Sequence, residues 1–251
     1  VIFFINSMFF TDEFLSGKHG LNCTNLLKNY KDKTQEEIMQ IEIDKLYSAL
    51  ETLVDKSKFR NVIIVGHEPI IQHVGKLFPE QIFNEIGVST LLNIYRTFTN
   101  TTNYYLCADV HMYQKSCFTM KCNTLYGEKE ASIIQYVVGT GGAELQKQGV
   151  PEKYINLNLS GINLEKNLLQ ISTKHLQKKS LPNIETYLLN ETSYTHGYLE
   201  CNYSENDLKF RFINCMSNIG GKKIKSAKKV RKHKGIYQRG PKKGYLKPGF
   251  K

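Results

Sequence analysis

Two short, unbroken apolar runs, each stopping at a histidine-bearing polar segment, constrain this chain more than any other feature. Val62, Ile63, Ile64 and Val65 lead directly into Gly66, His67, Glu68 and Pro69, and 44 residues beyond His67 a second run ends in Ala108, Asp109, Val110 and His111. Continuous β-branched runs suit strands covered on both faces. The segment between them has room for a crossover helix, so the two strand tips can be neighbours and present side chains to one ion. Imidazole and carboxylate are the donors a hard or borderline divalent metal takes. Taken singly, each His is better explained as a strand cap that hydrogen-bonds locally, because a short motif match by itself carries little weight.

The rest of the chain supplies the frame for such strands. Val1 to Phe4 reads as a buried strand, followed by a polar, Gly-containing excursion to Tyr30. Thr34 and Glu37 form a capping box, and Ile38, Ile41, Leu46, Leu50 and Leu53 recur at helical spacing to Val54. Phe59 to Val65 is the next strand, and Pro69 is compatible with the first position of a helix after it. A second helical pattern covers roughly 81 to 98, weakened by its β-branched content. Asn103 to Cys107 is a strand, and alternation suggests antiparallel strands near 115 to 121 and 133 to 138, the latter ending in Gly139, Thr140, Gly141 and Gly142. Residues 147 to 189 read as polar and loop-rich. Tyr194 to Tyr203 and Leu208 to Asn214 read as a closing β-hairpin. This order gives an α/β fold, a layered mixed β-sheet sandwich flanked by helices.

Composition excludes several function classes and divides the chain in two. No stretch of 18 uncharged apolar residues is present, so no transmembrane helix and no membrane partner are expected. The chain opens inside an apolar run, without the basic region and cleavage site of a signal peptide, and is read as continuing a longer protein. Six Cys show no Cys-x-x-Cys spacing, which disfavours a zinc ribbon or redox dithiol, and several fall in strand-like runs where a buried free thiol is the ordinary reading. The net charge of +11 is unevenly placed: 13 of the 34 Lys and Arg lie between Gly220 and Lys251 with no acid among them, leaving 21 basic against 23 acidic residues in the body. The expected organisation is a domain over 1–218 and a basic low-complexity tail over 219–251.

Several of these features together resemble the calcineurin-like metallophosphoesterases, in particular the purple, tartrate-resistant acid phosphatase branch. Val65, Gly66, His67, Glu68, Pro69 looks like that family's Val-Gly-His-x-Pro, and Ala108, Asp109, Val110, His111 stands where it has Gly-His-x-His, with Tyr113 and Gln114 also similar. Gln135 to Gly142, with its Tyr-Val-Val-Gly-Thr-Gly-Gly, is similar to its Tyr-x-Val-Ser-Gly-x-Gly, and Gly197, Tyr198, Leu199 with Phe210, Arg211, Phe212 resembles its terminal hairpin. The resemblance implies hydrolysis of phosphate esters at a centre of two divalent or trivalent ions (Fe, Mn or Zn). His67 would ligate one metal, His111 the other, and Asp109 would replace the family's usual His on the first. Asp109 has a second reading, as a carboxylate that only orients a neighbour in an altered site. The family's Asp-x-His, Gly-Asp-x-x-Asp and Gly-Asn-His motifs do not occur in these residues, and Val1 to Ser7 resembles the strand that follows the last of them. The chain is therefore read as the C-terminal portion of the fold, lacking the bridging aspartate. It is expected to hold metal weakly if at all and, in isolation, to show no appreciable phosphatase activity. His73, His175 and His196, with no companion at ligand spacing, are read as structural.

The tail carries a separate expectation. Lys222, Lys223, Lys225, Lys228, Lys229, Arg231, Lys232 and Lys234 repel one another and cannot bury a core, which predicts disorder in the absence of a polyanion. With Tyr237, Tyr245 and Phe250 such a run can neutralise phosphates and stack bases; a solubilising tail or a localisation signal is the competing reading. The tail also resembles a basic C-terminal segment found on unrelated proteins of giant DNA viruses, which implies the virion or host cytoplasm as the site of action. Two functions are thus in play: a metal-dependent phosphoesterase, or a non-catalytic virion or nucleic-acid-associated protein built on a degraded phosphatase fold.

Overall fold

The computed structural model describes residues 1–16, 28–30, 32–71, 83–124, 127–140, 145, 156–160, 184–204 and 207–215. Nine strands lie in these residues: β1 (Ile2–Phe4), β2 (Asn61–Val65), β3 (Thr102–Cys107), β4 (Tyr113–Thr124), β5 (Gly127–Val138), β6 (Asn158–Ser160), β7 (Ile184–Ser193), β8 (Gly197–Ser204) and β9 (Asp207–Asn214). With them are a one-turn helix α1 (Asp12–Leu15), the long helix α2 (Gln35–Glu51) and α3 (Glu85–Arg96). The first seven strands form one mixed sheet in the order β1-β2-β3-β5-β4-β7-β6, and β8 and β9 form a separate two-stranded ribbon. The mixed α/β class is as expected.

The sequence dictates the helices at their ends. Thr34 accepts from the Glu37 backbone N–H at 3.2 Å while the Glu37 carboxylate accepts from the Thr34 N–H at 2.8 Å, the reciprocal capping box that starts α2. For α3 the cap is Asn84, whose side chain accepts from the Gly87 N–H at 2.8 Å, so the helix begins later than the apolar pattern suggests. Pro69 is compatible with a helix start, but the described residues after it, to Ile71, are not helical, and residues 72–82 lie outside the described residues. His67 to Ile71 is a bend, because the Ile70 and Ile71 amides are held by a side chain from β5 and not by a helical ladder.

β1, β2, β3 and β5 run parallel, with Ile63 opposite both Ile2 and Tyr104, and Leu106 opposite Tyr136. The connections from β1 to β2 and from β2 to β3 step the same way across the sheet; crossovers of one hand then put both helices on one face. Met39, Ile43 and Leu50 of α2 and Leu91, Leu92 and Tyr95 of α3 accordingly share one core with Val62, Ile64, Tyr105, Ile133 and Val137 of the sheet. Burying each such side chain contributes about 1.5 to 3 kcal/mol. The Tyr95 hydroxyl keeps its bond inside this core by donating to the Tyr104 carbonyl at 2.8 Å.

Alternate residues, among them Ile63, Tyr104, Tyr136 and Tyr113, point to the other face, where Leu199, Leu208, Phe210 and Phe212 of the β8–β9 ribbon pack on them. Tyr113 and Phe212 stack with ring centroids 4.2 Å apart, and Phe210 lies 5.0 Å from Tyr104 and 5.1 Å from Tyr136. Both faces of β2 are therefore covered, which is why its sequence is apolar without interruption. The segment read as loop-rich contains β6 and most of β7, a ten-residue strand paired to β4. Among the described residues no helix is long and apolar enough to cross a membrane.

Candidate metal centre at the strand ends

All four parallel strands deliver their C-terminal ends to one edge of the sheet: Ser7 follows β1, His67 and Glu68 follow β2, Asp109 and His111 follow β3, and Gly139 and Thr140 follow β5. Ligands of open α/β sheets bind at this edge. The two motifs that motivated a metal site are tied together here, since the Ala108 N–H donates to the His67 carbonyl at 3.0 Å.

His67 Nε2 and Asp109 Oδ1 lie 3.3 Å apart, with 65% of the His67 side chain and 25% of that of Asp109 open to solvent. Two donors each about 2.0 to 2.2 Å from one ion, at the angles of ordinary coordination, are themselves about 3.0 to 3.4 Å apart. The pair thus has the bite of a chelate. Its hydrogen bond to Asp109 holds the His67 imidazole above its usual pKa, helped by the charge of Glu68 and opposed by partial burial.

Glu68 turns the other way. Its carboxylate accepts from the Ser7 hydroxyl, and burial pushes its pKa up, against the pull of that hydrogen bond. The Ser7 oxygen in turn accepts from the backbone N–H groups of His67 at 2.6 Å and Glu68 at 3.0 Å. Tyr105, fully buried on β3, donates its hydroxyl to the Glu68 carbonyl at 2.7 Å. Gly66 is required beneath this arrangement, because a Cβ there would lie 2.3 Å from the Tyr105 oxygen.

His111 sits on the bend that closes the Asp109 segment and is half-buried. Among the described residues no three His, Cys, Asp or Glu side chains gather closely enough to hold one ion; His67 and Asp109 are brought together, and His111 is not grouped with them. Gly139, directly after β5, packs against the same bend. Gly139 donates its N–H to the Met112 carbonyl at 3.1 Å, and a Cβ on it would fall 1.9 Å from the Val110 oxygen. Thr140, fully buried, donates to the Gly197 carbonyl at 2.8 Å, and His196 Nδ1 lies 3.0 Å from the Thr140 carbonyl oxygen, a local role that matches its structural reading.

Sequence reasoning did not assign Ser7, Tyr105 or Gln135 to this site. Gln135 carried the one available signal, a polar residue inside the apolar run of β5. Of the thiols, Cys107 is buried and its pKa is raised by burial, whereas Cys201 and Cys215 are exposed, unlike the buried thiols expected of strand-like runs. His73, His175 and the basic residues Lys222, Lys223, Lys225, Lys228, Lys229, Arg231, Lys232 and Lys234 lie outside the described residues. No protein-family model, curated protein or solved structure matches the chain.

Proposed function

We propose that this chain carries part of a metallophosphoesterase centre, a site for metal-dependent hydrolysis of phosphate esters in which His67 and Asp109 hold one ion and His111 contributes to a second. The observation that carries the reading is the 3.3 Å approach of His67 Nε2 to Asp109 Oδ1 at the carboxyl edge of parallel strands. The contact of the Gly139 turn with the Val110 carbonyl supports it, since it joins two of the motifs on which the family resemblance rests. On this reading the sheet, its helical layer and the β8–β9 ribbon belong to a metallophosphoesterase-like layered sandwich.

Bound metal would supply Lewis acidity and a water of lowered pKa. The chain's own residues do the rest of what can be assigned. His67 offers a neutral imidazole nitrogen once its proton is lost, and Asp109 offers an anionic oxygen beside it. The carboxylate adds negative charge where the family has a neutral His, so a metal here would be a weaker Lewis acid. Equilibrium dialysis with Mn²⁺ or Zn²⁺ followed by metal analysis tests the assignment: His67→Ala and Asp109→Ala should each lose retained metal. Retention unchanged in both would sink it. The 251 residues alone should not turn over a chromogenic phosphate monoester, for they contain no bridging aspartate.

The second reading, a non-catalytic nucleic-acid-associated protein, is favoured by one specific observation, the concentration of positive charge in residues 220–251 beside a nearly neutral body. The two are compatible, and each has its own test.

A further inference from the structure

Every backbone polar group that the segment from His67 to Ile71 shows in a bond is held by something outside that segment. The His67 carbonyl takes the Ala108 N–H at 3.0 Å. The His67 and Glu68 amides go to Ser7 Oγ, at 2.6 and 3.0 Å. The Glu68 carbonyl takes the Tyr105 hydroxyl, at 2.7 Å. Pro69 has no N–H to satisfy. Gln135 then closes the far end: its Oε1 accepts from the Ile70 N–H at 2.8 Å and the Ile71 N–H at 3.2 Å, and its Nε2 donates to the Ile71 carbonyl at 2.7 Å.

Ser7 and Gln135 have no exposed surface at all, nor has Tyr105. Buried polar side chains are retained where their bonds are complete, and a fully satisfied network is rigid. These three come from three different places, the end of β1, β3 and β5, so the bend is fixed against the sheet from three sides. A bend with no regular structure of its own would otherwise let a largely exposed imidazole swing.

We infer that Ser7, Tyr105 and Gln135 are positioning residues that clamp the 67–71 bend and thereby hold His67 within chelating distance of Asp109. The clamp itself is a statement about this bend; its consequence for metal rests on the phosphoesterase reading. Supporting residues of this kind typically alter metal affinity by about tenfold to a hundredfold when removed.

The test uses the full chain and three substitutions that delete bonds with little change of volume: Ser7→Ala, Tyr105→Phe and Gln135→Met. Gln114→Met is the control, for Gln114 is equally buried on β4 but its side-chain amide has no hydrogen-bond partner among the described residues. Amide hydrogen exchange should show protection lost at His67 and Glu68 in Ser7→Ala, and at Ile70 and Ile71 in Gln135→Met, with strand amides of β2 and β3 unchanged. Co²⁺ titration, read by its visible absorption, should show affinity reduced about tenfold or more in Ser7→Ala, Tyr105→Phe and Gln135→Met and not in Gln114→Met. Unchanged protection at the named amides overturns the clamp. Lost protection with unchanged Co²⁺ affinity overturns the positioning role. If the unsubstituted chain binds no Co²⁺, the phosphoesterase reading falls while the exchange pattern still decides the clamp. Should Gln135→Met not fold, Ser7→Ala carries both measurements.

Discussion

At the scale of single residues, the hydrogen bond between His67 and Asp109 makes a prediction that needs no metal. The bond raises the imidazole pKa above its unfolded value of about 6.5. Between those two values the folded state holds more protons than the unfolded one, so stability falls as pH rises. The contribution is complete below about pH 6.5 and is lost as pH climbs through the folded pKa. Replacing the acceptor in Asp109→Asn should lower the His67 pKa toward its ordinary value, as read by NMR titration of the ring in metal-free protein; an unmoved pKa would contradict the contact. Gly139 makes a second prediction. Its Cβ position meets the Val110 carbonyl oxygen at 1.9 Å, backbone that has no rotamer to yield, so Gly139→Ala should destabilise the fold by about 1 to 3 kcal/mol in urea unfolding. Full stability in that variant would mean the turn and the Asp109 bend separate at little cost. What was legible here was the chemistry carried by unusual residues in a run: His67, Asp109 and the glycines announce themselves. Ser7 did not, because a serine after a strand is ordinary until its oxygen is seen holding two amides 60 and 61 residues away.

At the scale of elements, legibility followed how local the determining physics is. The α2 capping box is complete within four residues and was read correctly, as were β2, covered on both faces, and the β8–β9 ribbon. β7 was missed for a physical reason. Its register against β4 shifts between Lys115 and Ser116 and again between Thr119 and Met120, so the alternation of inward and outward residues breaks phase twice. β6, three residues long, has no period to show. The pairing of β5 beside β3, with β4 beyond it, was equally invisible, since parallel partners are chosen by the sheet and not by the strand. The ribbon supplies the prediction at this scale. It is joined to the sheet through aromatic contacts, with Phe210 edging both Tyr104 and Tyr136. Phe210→Ala should therefore cost about 2 to 3 kcal/mol, below the full core value because Phe210 is only partly buried. A loss under 1 kcal/mol in chemical denaturation would show that the ribbon is held by something other than these rings.

At the scale of the whole molecule, the chain joins a nearly neutral body that carries the His67–Asp109 edge to a tail whose sequence has 13 Lys and Arg and no acid. These are different kinds of recognition. The proposed metal site at the edge would depend on two donor atoms and on the bend that holds one of them, so its binding should change with pH and with single substitutions. Because protons compete with metal for His67, metal affinity should tighten as pH rises through the imidazole pKa. The proposed action of the tail depends on charge number, and should change with salt and hardly with any one lysine. If the eight basic residues from Lys222 to Lys234 all engage phosphates of a single-stranded oligonucleotide, the logarithm of affinity falls with the logarithm of salt at a slope of roughly −5 to −6. Raising salt from 50 to 200 mM would then weaken binding about a thousandfold. Fluorescence anisotropy of a labelled oligonucleotide measures this directly on the full chain and on one ending before Gly220. Strong salt dependence that vanishes with the tail is the expected result; affinity that survives either high salt or removal of residues 220–251 would move recognition to the folded body, whose charge gives it little reason to attract a polyanion.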